Sequence, residues 1–176
     1  WNYPFLLNMG PIVAAVAAGN VALVKPSEMA PHIASVLRQL VGESFRPEHV
    51  QVLEGGVDLS EKLLAEAWDF ICFTGSTQVG KLVAKAAAEN LTPCLLELGG
   101  KSPCLVTDQA DIELAAKRVI WGKMLNSGQT CVAPDYVLVH KAVHEPLVAA
   151  MRKQLDLRYG GANALANPQW PRMINR

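Results

Sequence analysis

A thiol works as a nucleophile only where substrate reaches it and its surroundings favour the thiolate. Of the four cysteines, only Cys131 lies in a polar, glycine-containing run, Asn126-Ser127-Gly128-Gln129-Thr130-Cys131. Cys72, Cys94 and Cys104 sit inside apolar runs, such as Phe70-Ile71-Cys72-Phe73, and read as buried packing groups. The cysteines lie 22, 10 and 27 residues apart, and His32, His49, His140 and His144 add no ligand pair, so no metal site is expected. So few cysteines in a chain of 176 residues make no disulfide framework, which points to a reducing compartment, the cytoplasm.

A second group of residues could hold phosphate. Phe73-Thr74-Gly75-Ser76-Thr77-Gln78-Val79-Gly80-Lys81 follows a predicted strand and opens a predicted helix. Backbone N–H groups and the helix dipole would there face an anion. Gly75 allows a sharp turn, and Gly80 lets the helix pack close. The spacing also resembles a P-loop, but Leu82 stands where that motif needs Ser or Thr for Mg²⁺. The G-x-G-x-x-G dinucleotide fingerprint is absent. Taken alone, the loop also reads, less readily, as a tight strand-to-helix turn that holds no ligand.

The elements that must position these residues alternate between strand and helix. Predicted strands cover 21–25, 50–53, 70–73, 94–98, 104–106 and 136–139. The first is apolar on both faces and is expected to be fully buried. Helical periods fall over 11–18, 31–41, 59–67, 77–89, 111–125 and 145–157. Gly19-Asn20 ends the first helix, Pro31 opens the second, and Asp58 is placed to cap the third. Strands and helices in alternation with short loops predict a parallel α/β sheet of doubly wound, Rossmann-like type. Gly99-Gly100 marks the boundary between a nucleotide-binding domain over 1–98 and the first part of a catalytic domain over 99–176. The Gly-, Ala-, Asn- and Pro-rich tail over 160–170 reads as a surface loop.

The bulk properties set limits. Hydrophobic residues make up 51%, enough for a substantial core, while the net charge of zero and 6% aromatic content argue against nucleic acid as a partner. The apolar stretch from Met9 to Val24 is broken by Gly10, Pro11, Gly19 and Asn20, so no membrane span is expected. No basic segment precedes it, as a signal peptide would require. The chain opens at Trp1, inside a motif, and is expected to be an internal portion of a longer protein.

Five segments together resemble the aldehyde dehydrogenase superfamily, and most closely its class 3 branch. They are Trp1-Asn2-Tyr3-Pro4, Lys25-Pro26-Ser27-Glu28, Phe73-Thr74-Gly75-Ser76 with Gly80, Glu97-Leu98-Gly99-Gly100-Lys101, and Gly128-Gln129-Thr130-Cys131. The 34 residues from Glu97 to Cys131 (131 − 97) and the following Val132-Ala133-Pro134-Asp135-Tyr136 fit class 3. The resemblance covers most of residues 1–160 and loosens beyond.

The resemblance implies NAD(P)-dependent oxidation of an aldehyde to a carboxylic acid. Cys131 would be the nucleophile, Asn2 and the Cys131 N–H the oxyanion donors, and Glu97 the general base for thioester hydrolysis. Lys25 and Glu28 would hold the adenosine ribose, and Gly75, Ser76, Thr77, Gln78, Val79 and Gly80 the pyrophosphate, with Gly99 also at the cofactor. The charge of Glu28 leans toward NAD over NADP. Tyr3 and Trp121 suggest an apolar aldehyde, and the parent protein is expected to be a homodimer, with any membrane attachment carried by other segments. A Glu-x-Phe-Gly-Pro segment, a second ribose contact of the family, has no counterpart here. The alternative is a truncated, non-catalytic chain that binds nucleotide or a partner.

Overall fold

The structure, a computed structural model, describes residues 2–160, 166–167 and 170–175. Its contacts fall into two compact units, Trp1–Leu98 and Gly99–Arg176. The first unit runs α1 (Pro4–Ala17), β1 (Ala22–Val24), α2 (Pro31–Ser44), β2 (Val50–Val52), α3 (Val57–Leu64), β3 (Ile71–Thr74), α4 (Thr77–Glu89) and β4 (Cys94–Glu97). The second runs β5 (Ser102–Val106), α5 (Ile112–Met124), a 3₁₀ turn (Leu125–Gly128), β6 (Pro134–Val139), a short 3₁₀ turn (Lys141–Val143) and α6 (His144–Tyr159).

Every strand pair is parallel, as the alternation of strand and helix requires. Among the described residues the strands form three two-stranded sheets, β1–β2, β3–β4 and β5–β6, rather than one continuous sheet. Among the described residues no strand hydrogen-bonds to both β1–β2 and β3–β4. In the first unit Ile12, Val41, Val50 and Val52 form a core, with Met9, Val16, Ala22, Val24 and Phe45 around it. In the second, Val106, Ala116, Leu147 and Ala150 do the same, flanked by Cys104, Ile112, Val137 and Val139. Burying a side chain such as Leu147 contributes about 2 kcal/mol.

Several boundaries differ from expectation. α1 starts at Pro4, not Pro11. Pro4 fills the first turn, where a missing N–H costs nothing, and the helix continues through Pro11 with the buried Ile12 next to it. α3 is capped by Gly56 and ends at Leu64, with Asp58 in its first turn instead of at the cap. There the carboxylate still favours the positive end of the helix. β1 is half-buried throughout rather than fully buried, and Val21 before it is largely exposed, because helix packing covers only part of this short strand. The proposed surface loop over 160–170 falls largely outside the described residues.

Leu91 follows α4 with a left-handed φ of 53° and its side chain 90% exposed. The Leu91 and Thr92 N–H groups close the helix end on Ala88 and Ala87, a position that usually takes glycine. Leu91→Gly is expected to stabilise the unit by roughly 0.5–1 kcal/mol in urea unfolding. A loss of stability would show that the side chain packs in a way its exposure hides.

Candidate active site

The glycine loop is only two residues long. β3 ends at Thr74 and α4 begins at Thr77, so Gly75 and Ser76 make the whole turn. A Cβ at Gly75 would lie 2.4 Å from the Phe73 ring, and one at Gly80 would lie 2.7 Å from Leu98 Cδ2. Gly75 therefore admits the Phe73 ring, and Gly80 lets α4 settle against Leu98 just after β4. Ser76 caps α4 by accepting from Val79 N at 3.2 Å. Ser76, Thr77, Gln78 and Val79 are exposed, so the opening turn of this thirteen-residue helix is accessible. This arrangement suits the pyrophosphate of a dinucleotide, at the carboxyl end of a parallel strand.

Lys25 and Glu28 follow β1, again at a carboxyl strand end. Lys25 Nζ donates to Glu28 Oε2 at 2.9 Å, and its side chain is 16% exposed against 45% for Glu28. The hydrogen bond from Lys25 chiefly, with one from the Glu28 backbone, holds the Glu28 carboxyl below its usual range against a smaller opposing effect of burial. Glu28 is thus an anion at neutral pH, with a cation locked beside it. Both features fit a ribose that offers hydroxyls to a carboxylate and an ammonium.

Glu97 ends β4 and is exposed. Register places it opposite Thr74, with Cys72 opposite Leu95, so Cys72, Thr74, Leu95 and Glu97 share one face of the β3–β4 pair. That face corrects a second expectation: Cys72 is exposed, and Cys94 and Cys104 are half-buried, so none of the three is a fully buried packing group. A two-stranded sheet cannot cover both of its faces, and the apolar composition of the run did not reveal which would remain open. Partial burial, then the charge of Glu97, raise the Cys72 thiol above its ordinary range. Cys72 should therefore react slowly with iodoacetamide despite its exposure. Glu97→Gln should speed that reaction several-fold at fixed pH, because it removes a charge that opposes the thiolate; an unchanged rate would mean that Glu97 lies too far away to matter.

Cys131 is exposed, in the second unit, just after the 3₁₀ turn. The turn holds itself together: Asn126 Nδ2 donates to Gln129 O at 3.2 Å, and Gln129 N donates back to Asn126 O at 3.1 Å. Among the described residues no acceptor is paired with the Cys131 N–H, which leaves it available as a donor. A Cβ at Gly100 would lie 2.4 Å from the Cys131 carbonyl oxygen, so Gly100 is the backbone against which the Cys131 segment rests. In the sequence Gly100 marks a domain boundary and part of a motif, and its contact with Cys131 is a further role. The signal was there in the paired glycines after a strand, but the contact joins positions 31 residues apart (131 − 100) and no local pattern reveals it.

Asn2 is half-buried just before α1. Asn2, Lys25, Glu28, Glu97 and the loop over 75–80 thus belong to the first unit, and Gly99, Gly100 and Cys131 to the second. A cleft of about 500 Å³ between α2 and β2, lined by Arg38, Val41, Phe45 and Val50 among others, includes none of these residues. Among the described residues no helix is long and apolar enough to cross a membrane, and no three His, Cys, Asp or Glu side chains group as metal ligands.

Known proteins resemble this chain in sequence and fold. A sequence model described as the Aldehyde dehydrogenase family matches residues 1–170. The chain is 46% identical over 175 residues to 4,4'-diaponeurosporen-aldehyde dehydrogenase of Staphylococcus aureus, covering 99% of this chain and 38% of that protein. It is 46% identical over 175 residues to mouse aldehyde dehydrogenase, dimeric NADP-preferring, again covering 99% and 38%. The solved structure titled "Substrate bound state of Staphylococcus Aureus AldH" matches with a TM-score of 0.90 and 45% identity, over 99% of this chain and 38% of that one. An aldehyde dehydrogenase of Mycobacterium tuberculosis complexed with NAD+ matches with a TM-score of 0.82 and 33% identity, over 88% and 32%.

The chain belongs to the aldehyde dehydrogenase family. Within the family it resembles the class 3 branch, being 43% identical to rat aldehyde dehydrogenase family 3 member A2 over 175 residues, 99% of this chain and 36% of that protein. The chain spans 36–38% of the length of these three curated relatives.

Proposed function

We propose that the protein oxidises an aldehyde to a carboxylic acid with NAD(P), through a covalent intermediate on Cys131. The observation that carries this reading is Cys131 itself, an exposed thiol with an available backbone N–H beside it, on a loop seated against Gly100. Cys131 Sγ attacks the aldehyde carbon, forming the S–C bond of a thiohemiacetal and leaving negative charge on oxygen. The Asn2 side-chain amide and the Cys131 N–H donate to that oxygen; such donors are worth about 3 kcal/mol each. Lys25, Glu28 and the loop over 75–80 would hold NAD(P), which when bound would supply the hydride acceptor that oxidation of the thiohemiacetal to a thioester requires. Glu97 then takes a proton from a water whose oxygen attacks the thioester carbon, and Cys131 leaves as the thiolate.

On the cofactor side, Lys25 and Glu28 bind the adenosine ribose, Gly75, Ser76, Thr77, Gln78, Val79 and Gly80 receive the pyrophosphate, and Gly99 is a further cofactor contact. The ionised Glu28 repels a 2′-phosphate, which favours NAD, while Lys25 beside it offsets part of that charge. The first unit is read as the NAD(P)-binding domain and the second as the start of the catalytic domain. Tyr3 and the 56%-exposed Trp121 favour an apolar aldehyde. We place the protein in the cytoplasm as a homodimer, a state supported by the name of the mouse relative. The test is aldehyde-dependent reduction of NAD by the protein expressed from its complete gene. No turnover with NAD binding retained would instead support a non-catalytic nucleotide-binding chain.

A further inference from the structure

The loop that ends in Cys131 holds three successive left-handed residues, Asn126 (φ 52°), Ser127 (φ 55°) and Gly128 (φ 76°). Only the third is a glycine. Residues with a Cβ avoid this region, and two in a row persist only where the surroundings hold them there. The turn's own bonds between Asn126 and Gln129 supply part of that hold. The rest comes from more than forty residues further along the same unit.

Ser127 Oγ donates to the Pro171 carbonyl at 2.7 Å. The Gln129 carboxamide donates from Nε2 to the Arg172 carbonyl at 3.2 Å and accepts at Oε1 from Ile174 N at 3.2 Å. One donor and one acceptor thus meet residues two apart on the 172–174 backbone, as the peptide of a neighbouring strand would. The same Nε2 donates to Asn126 O at 3.0 Å, inside the left-handed turn. One side chain therefore ties the turn to the later segment.

We propose that residues 171–174 clamp the loop carrying Cys131, and that Gln129 is the positioning residue that closes the clamp. The proposal rests on the reading of Cys131 as nucleophile. Glutamine suits the task because it needs a donor and an acceptor on one planar group. Glutamate at this position would keep the acceptor for Ile174 N but turn an oxygen toward the Asn126 and Arg172 carbonyls. Methionine would fill a similar volume and make none of the bonds. A loop released from the clamp lets the thiol drift, and a displacement of about 1 Å from the reacting carbon costs on the order of 100-fold in rate.

The test uses the protein expressed from its complete gene, with Gln129→Met, Gln129→Glu and Ser127→Gly. Hydrogen exchange at the Ile174 amide is measured beside kcat and the KM for NAD. In both Gln129 variants, exchange at Ile174 should rise at least about tenfold and kcat should fall roughly 10- to 100-fold, with the KM for NAD unchanged. Gln129→Glu should be the worse of the two. Ser127→Gly relieves the backbone while losing the bond to Pro171, folds readily, and should show a smaller fall in kcat of the same kind. Wild-type exchange and kcat in Gln129→Met would reduce Gln129 to packing and overturn the clamp. Faster exchange with wild-type kcat would leave a clamp that positions nothing, and equally sink the proposal. Turnover retained by Cys131→Ala strikes the nucleophile reading instead, while the exchange data still report on the clamp.

Discussion

Cys131→Ala, in the protein expressed from its complete gene, is expected to abolish the proposed aldehyde oxidation while NAD binding, followed by fluorescence titration, stays within about twofold of wild type. The expected loss is at least about 10⁴-fold in kcat, because without the sulfur no covalent intermediate forms and the remaining donors have nothing to stabilise. Of the proposed cofactor residues, Lys25, Glu28 and the loop over 75–80 belong to the first compact unit, while Gly99 and Cys131 belong to the second, so replacing the thiol alone should separate chemistry from binding. Mass spectrometry adds an independent readout: a trapped acyl adduct should map to the peptide holding Cys131 and vanish in the variant. Turnover equal to wild type, or an adduct on Cys72, would remove Cys131 from the mechanism.

The second large effect is expected at Gly100. An added methyl group would stand 2.4 Å from the Cys131 carbonyl oxygen and 3.5 Å from its carbonyl carbon. Both are backbone atoms, so no rotamer change relieves the clash, and either the Gly100 turn or the Cys131 segment must move. Gly100→Ala is therefore expected to lower kcat on the order of 100-fold and to destabilise the protein by roughly 1–3 kcal/mol. Gly99→Ala is the stability control, since its Cβ would meet nothing within 4 Å, and its cost should stay within about 0.5 kcal/mol. Urea unfolding with kcat on the same preparations checks both. Wild-type activity in Gly100→Ala would mean that the Cys131 loop tolerates displacement, and would weaken the clamp proposal with it.

Local chemistry made much of the fold legible. Gly19 takes the left-handed conformation (φ 78°) that its place after α1 suggested, and Asp111 caps α5 by accepting from Leu114 N at 3.0 Å. The strand–Gly75–Ser76–helix turn also stands where it was read, because capping, turn geometry and apolar periodicity all act within a few residues. The errors arose where distant parts of the chain decide. Pro11 looked like a helix start, yet α1 passes through it, anchored by Ile12 in a core built with Val41, Val50 and Val52. Cys72 looked buried because its neighbours are apolar, but burial depends on what covers the face of β3–β4, and a run of residues does not contain that information.

The sequence by itself determined the family, through five motifs in one order, and the candidates for its chemistry: a thiol in a polar glycine-containing turn and a glycine loop opening a helix. Motif residues carry this because their side-chain chemistry and backbone freedom are fixed by residue type. Only the tertiary structure decided what bears on the thiol. Gly100 lies 31 positions before Cys131, and the partners of Ser127 and Gln129 lie 43 to 45 positions after them. Contacts at such separations depend on how β5, α5, β6 and α6 pack around one core, which no local run of residues specifies.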